Sequence, residues 1–209
     1  MKTYIKVICV SDTHLSTPKL PDGDILIHAG DLTWNGSVKQ CAEAMSWLSR
    51  QQHESKIFIS GNHDFNFLDK KEPMEIPKNL IYLQDSSANV MGLNFFGFPW
   101  TPKFFDWAFM YERQEAAKYC EKIQPCDVLI THGMPFMTLD ETGDHRNVGC
   151  PALYNRIQHL KPFLVVGGHI HESRGFTQEN GITYINAAVK PFVVVIENDG
   201  LILKKAHSR

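Results

Sequence analysis

Apolar runs of strand length recur along the chain at residues 4–10, 24–29, 56–60, 127–131 and 163–167. They are rich in Val, Ile, Leu and Phe and lack clean alternation with polar residues, the pattern of strands buried on both faces. Each run ends in a short polar motif. Between the runs lie segments of helical period: 38–51 places apolar side chains at Ala42, Met45 and Leu48, and Cys150-Pro151 opens a stretch through Leu153, Ile157 and Leu160. Strand followed by helix, repeated, predicts an α/β arrangement.

Two regions break this rhythm. Residues 80–83 followed by 93–98 read as additional strand, as does 184–196, where an Asn198-Asp199-Gly200 turn leads into 201–203 as a hairpin. The expected core is therefore a pair of sheets flanked by helices, with the motifs gathered where the buried strands end, the usual ligand-binding edge of open α/β sheets. No linker or change in composition divides the 209 residues, so residues 1–209 are expected to form a single domain.

Charge and composition narrow the partners. A formal net charge of −2 does not suit a protein that grips long nucleic acid through its phosphates. Small anionic substrates stay open, because bound metal supplies positive charge locally. The five cysteines are scattered without a C-x-x-C pair, which fits reduced thiols in a cytoplasmic setting, each read as a small buried apolar side chain. No export signal and no membrane span are expected, and the tail from Lys204 to Arg209 reads as solvated; a homo-oligomer stays open.

The motifs, in order, are Asp12-Thr-His14, Gly30-Asp31, Gly61-Asn62-His63-Asp64, His132-Gly133 and Gly168-His169-Ile-His171. If the chain stays extended, Asp12 and His14 point to the same side and offer an oxygen and a nitrogen to one ion. Asp31 can bridge two ions, Asn62 offers a neutral oxygen, and His132, His169 and His171 offer imidazoles. This mixed N/O set suits a pair of divalent transition ions, Mn foremost, with Fe, Ni, Co or Zn as alternatives. Two such ions ~3.5–4 Å apart acidify a shared water for attack on phosphorus and neutralise the phosphoryl oxygens. His63 then projects toward substrate, to stabilise the transition state or protonate the leaving oxygen, with Asp64 as its orienting partner.

One such motif alone is more often a turn than a metal site; five in order after buried strands are not coincidence. His28 reads as a packed core residue, His53, His159 and His207 as surface residues, and the 143–149 loop with His145 as either a plain connection or a rim that touches substrate. Trp34, Trp100, Phe104, Phe105 and Trp107 offer stacking surfaces, although aromatic-rich segments more often build core.

These residues, across nearly the whole chain, resemble the calcineurin-like metallophosphoesterases. The segments Leu83-Gln84-Asp85-Ser86, 97–102, 131–135 and Val148-Gly149-Cys150 are similar to the branch of metallophosphoesterase-domain proteins related to vertebrate fetal-brain proteins. The resemblance implies a four-layer α/β/β/α sandwich of two mixed sheets flanked by helices. It implies Asp12, His14, Asp31 and His171 around one metal, and Asp31, Asn62, His132 and His169 around the other, with His63 catalytic. Some relatives carry glycine in place of the first histidine of the last motif and bind nucleotide monophosphates without efficient turnover; His169 is present here, which implies an active enzyme. Phosphoprotein phosphatases follow Gly-Asp with Asp-Arg, whereas this chain continues Gly30-Asp31-Leu32-Thr33, so that activity is disfavoured, and Arg146 or Arg174 is left to hold phosphate. The expected activity is a phosphodiesterase acting on small or cyclic nucleotide phosphodiesters. The alternatives are a phosphomonoesterase, a nuclease, and a nucleotide-binding scaffold, the last of which would have shed its ligands.

Overall fold

The computed structural model describes residues 4–197 and 200–204. The first sheet begins at one edge with β14 (Gly200–Lys204) and β13 (Phe192–Glu197) and has strand order β14-β13-β1-β2-β3-β4. Its parallel centre is β1 (Tyr4–Val10), β2 (Ile25–Ala29) and β3 (Ser55–Ile59), with the short β4 (Ile81–Tyr82) at one edge. The second sheet has order β11-β12-β10-β9-β6-β5. Here β6 (Leu93–Phe98), β9 (Val128–Thr131), β10 (Leu164–Gly167) and β12 (Ile182–Asn186) run parallel, with β5 (Ser86–Val90) and β11 (Gly175–Glu179) antiparallel at the two edges, while the short β7 (Thr101–Pro102) and β8 (Met110–Tyr111) pair with each other apart from both sheets.

Alternate side chains of one strand serve different layers, as the strand period of two demands. Val7 and Cys9 of β1 face the second sheet and pack in one core with Phe95, Val128, Ile130 and Val166. Ile8 and Val10 face outward onto helix α1 (Val38–Ser49) through Cys41, Ala44, Met45 and Leu48, and the short α2 (Phe65–Asp69) adds Phe67 to the same layer. On the far side, Leu129 and Val165 meet α3 (Ala116–Cys120) and α4 (Pro151–Leu160) through Cys120, Leu153 and Ile157. The four-layer α/β/β/α sandwich is thus built from two interfaces of helix on sheet and one of sheet on sheet.

Several local expectations change. The buried stripe of α1 runs through Cys41, Ala44, Met45 and Leu48, and Ala42 is exposed; Ser37 caps the helix by accepting from the Gln40 amide. The run 184–196 is not one strand. It divides into β12 of the second sheet and β13 (Phe192–Glu197) of the first, so the chain crosses between sheets at 187–191. Strand β13 pairs antiparallel with β14 (Gly200–Lys204), as a hairpin requires, while Asn198 and Asp199 of its turn lie outside the described residues, as do His207 and the rest of the tail from 205. Among the described residues no helix is long and apolar enough to cross a membrane.

Candidate metal centre

The chain leaves β1 at Val10 and turns sharply, with Asp12, His14 and Leu15 all in the left-handed region (φ 55°, 44° and 64°). Asp12 and His14 therefore meet through a strained turn, in place of the extended segment expected from their spacing. Left-handed backbone outside glycine persists only where the surroundings enforce it. Here the amides of Asp12, His14 and Leu15 donate to the carbonyls of Gly30, Asp31 and Leu32 at 3.0, 3.1 and 2.9 Å, which zips the loop after β1 to the loop after β2. Asp31 (56°) and His169 (71°) share the same unusual conformation.

Three of the imidazoles follow one rule. Nδ1 of His14 lies 2.8 Å from the Thr33 carbonyl, that of His132 2.9 Å from the Ala29 carbonyl, and that of His63 2.7 Å from the Trp34 carbonyl. A carbonyl only accepts, so each Nδ1 carries a proton and Nε2 is left to face the site. The Nε2 atoms of His14, His132 and His63 stand 3.8, 3.4 and 4.0 Å from the carboxylate oxygens of the buried Asp31. Nε2 of His171 lies 3.3 Å from Asp12, whose carboxylate also accepts from the His169 amide at 3.0 Å. Asn62 Oδ1 is 2.9 Å from His132 Nε2.

Three sets of donor atoms lie within 4.8 Å of one another: Asp12, His14 and His171; Asp31, His132 and His169; and His14, Asp31 and His63. The first two sets fall within the two expected ligand groups. The third brings His63 to the Asp31 carboxylate, beside His14. The backbone is cut to fit: a Cβ at Gly61 would strike the Asp31 side chain and the His132 ring, and one at Gly168 would strike Asp12 and Ser11. Converging carboxylates and Nε2 atoms, with no thiol among them, fit a pair of divalent transition ions.

Electrostatics point the same way. Burial opposes ionisation of Asp31, but His132 and His63 outweigh it and hold its carboxyl well below the usual range. For Asp12 burial is likewise outweighed, by His171 and His132. Burial lowers His132, yet Asp31 and Asp12 outweigh it and raise the imidazole to about 9. His169 is pushed down to about 4 by burial and by its neighbour His132.

Other expected residues fall elsewhere. Asp64 does not orient His63. Its fully buried carboxylate accepts from the amides of Gly61 (2.9 Å), Leu32 (3.2 Å) and Thr33 (3.0 Å) and from the Thr33 hydroxyl (2.8 Å), so it ties the loop after β3 to the loop after β2. Burial and the nearby Asp31 push its carboxyl up to about 6. Arg174 does not line the cavity at the centre: its guanidinium lies over the Phe192 ring and donates to the carbonyls of Lys190 and Pro191. Arg146 does line it, paired with Asp144 at 2.6 Å, while the exposed His145 pairs with Glu141 outside it. His53 is a buried residue that bonds to the Pro21 carbonyl, and His28 is a core residue in contact with the Thr13 hydroxyl at 2.9 Å.

The cavity has a volume of about 680 Å³. Trp34 stacks on His14 (ring centroids 4.3 Å, 18°), Trp107 leans on His63 (4.5 Å) and Phe104 on His169 (5.5 Å), and all three line it. Trp100 is instead packed against Phe109 and Tyr119 with its N–H on Asp85, and Phe105 rests on Trp107 outside the lining. Arg113 is a lining residue that no motif announces.

Comparison with known proteins bears on this geometry. Residues 5–173 match the model of the family described as calcineurin-like phosphoesterase. The human protein named metallophosphoesterase domain-containing protein 1 is 37% identical over 216 residues, covering 89% of this chain, and the chain spans 66% of that relative's length. A UPF0046 protein of Caenorhabditis elegans is 36% identical, covering 88% of this chain and 70% of its own. One crystal structure superposes with a TM-score of 0.69 at 15% identity, over 97% of this chain and 99% of the other, and GAP50, the anchor in the inner membrane complex of Plasmodium, with 0.56 at 10% identity, over 98% and 84%. The last two likenesses concern the fold alone. Ordered motifs, paired donor sets at the strand ends and a family match over most of the length lead to one assignment: the chain belongs to the calcineurin-like phosphoesterase family.

Proposed function

We propose that the chain is a metal-dependent phosphodiesterase that hydrolyses small phosphodiesters, cyclic nucleotides among them. The observation that carries this reading is the position of His63: Nδ1 is fixed on the Trp34 carbonyl and Nε2 is turned toward Asp31, inside the cavity and beside both donor sets. Asp12, His14, Asp31 and His171 would hold one ion, and Asp31, Asn62, His132 and His169 the other. When bound, the ions supply an acidified water as nucleophile and neutralise charge on the phosphoryl oxygens. In its doubly protonated form His63 presents Nε2–H to the leaving oxygen, while the Trp34 carbonyl keeps the ring from turning during the transfer. The cavity exceeds what a bare phosphate needs, and its aromatic walls at Trp34, Phe104 and Trp107 accommodate groups esterified to phosphorus. The free, mostly buried cysteines support a reducing, cytoplasmic setting.

A substrate panel tests the proposal. Metal-stripped protein reconstituted with Mn²⁺ is expected to cleave bis(p-nitrophenyl) phosphate and the 2′,3′- and 3′,5′-cyclic nucleotides faster than p-nitrophenyl phosphate, and chelation is expected to abolish all of it. Full turnover in protein shown to be metal-free by elemental analysis contradicts the metal role. A preference for the monoester contradicts the diesterase assignment while leaving the metal role intact.

A further inference from the structure

Three cationic side chains line the cavity besides the imidazoles, and they differ in what neutralises them. Lys103 is matched by Asp106 and Glu112 at 3.0 and 2.9 Å, and Arg146 by Asp144. Arg113 makes no ion pair among the described residues. Its guanidinium donates to two backbone carbonyls, Val148 at 2.9 Å and Gly149 at 3.4 Å, one through each terminal nitrogen. Those carbonyls are themselves anchored, since the buried Asp140 accepts from the Gly149 amide at 2.8 Å and from the Asn147 side chain at 2.6 Å. Neutral acceptors fix the fork without cancelling its charge, and the guanidinium has five donors, of which two are engaged. A pre-positioned, uncompensated arginine at the wall of a phosphoester cavity costs little reorganisation when an anion arrives. The placement is also selective: His63 stands on the loop after β3 of the first sheet, whereas Arg113 is fastened to the segment that enters α4, against the second sheet.

We propose that Arg113 is a specificity-determining residue that binds a second anionic group, carboxylate or phosphate, on the part of the substrate that does not depart at His63. The preferred substrates are then phosphodiesters with a further negative charge on the retained arm. The assignment rests on the phosphoesterase reading above and extends it.

A matched pair of esters isolates the effect: phenyl p-nitrophenyl phosphate and its 4-carboxyphenyl counterpart, which share a leaving group and differ in one remote charge. Wild-type protein loaded with Mn²⁺ is expected to show the higher kcat/KM on the carboxylated ester. R113M should lower the ratio of the two values roughly tenfold, the loss expected for one charge-assisted hydrogen bond, and R113K should restore part of it. Using the ratio removes any general loss caused by loosening Val148 and Gly149. An unchanged ratio in R113M, no preference in the wild type, or a ratio moved by R146M and not by R113M overturns the assignment. If the wild-type protein shows no metal-dependent cleavage of either ester, the phosphoesterase reading itself fails and takes the assignment with it, an outcome distinguishable from cleavage of both without discrimination.

Discussion

At the scale of single residues, the centre is organised by main-chain carbonyls more than by side-chain partners. Thr33, Trp34 and Ala29 each fix an imidazole through oxygen atoms that any residue would offer, so no pattern of residue types announces them. The ligand candidates themselves were legible, because carboxylate and imidazole chemistry cannot be supplied by other residue types. Asp64 illustrates the limit: adjacency to His63 suggested a pair, but its carboxylate turns away into the protein to meet backbone amides. The distinct role of His63 is open to test by His63→Ala. General acid catalysis contributes ~10²–10⁴-fold, and only where the leaving group needs its proton. The variant is expected to keep both ions, lose activity to that extent on a cyclic nucleotide, and lose much less on p-nitrophenyl esters. Equal losses on both would indicate stabilisation of transition-state charge, and loss of metal together with activity would make His63 a ligand, as its distance from Asp31 permits.

At the scale of elements, the buried parallel strands were readable from their unbroken apolar runs, and the polar edge strands were not. Strands β5 and β11 carry Ser, Asn, Thr, Gln and Glu on exposed edges, where pairing on one side is enough to hold a strand whose side chains resemble those of a loop. The split of 184–196 between two sheets was hidden for a related reason, since hydrophobicity reports burial and not the sheet that provides it. What joins the elements at the site is Asp64, which clamps the loops after β2 and β3 with four accepted hydrogen bonds. In Asp64→Asn one acceptor oxygen becomes a donor that faces donors, so at least one buried N–H or O–H loses its partner. A loss of about 1–3 kcal/mol follows. Urea unfolding of chelated protein should show it as a lower midpoint at unchanged slope, and an unmoved midpoint would remove Asp64 from the list of structural clamps.

At the scale of the whole molecule, the donors come from both sheets: Asp12, His14, Asp31 and Asn62 follow strands of the first, and His132, His169 and His171 follow strands of the second. Metal would therefore fasten the sheets together at one end of their shared core. At 100 times the dissociation constant, binding to the folded state adds about 2.7 kcal/mol, which for a chain of this length corresponds to roughly 5–10 °C in Tm. The size of that gain depends on pH in a direction set by His132. Without metal, Asp31 and Asp12 raise its imidazole from 6.5 to about 9. A raised histidine stabilises the fold fully below its unfolded value and ceases to do so as pH climbs through its folded one. The metal-free protein accordingly loses this contribution between about 6.5 and about 9, because the proton that screened Asp31 departs. A metal ion needs the deprotonated ring, so over the same interval its apparent affinity rises by up to about tenfold per unit as proton competition fades. Both trends express one linkage, the proton that His132 gives up when metal binds, so the Tm difference between Mn²⁺-loaded and chelated protein is expected to widen steadily from pH 6.5 to 8.5. Calorimetric titration in buffers of different ionisation enthalpy should register close to one proton released from His132 per metal bound at the second site near pH 7. A Tm difference independent of pH, or binding without proton release, would show that His132 is already neutral in the metal-free protein and that the charge balance around Asp31 is set by other groups.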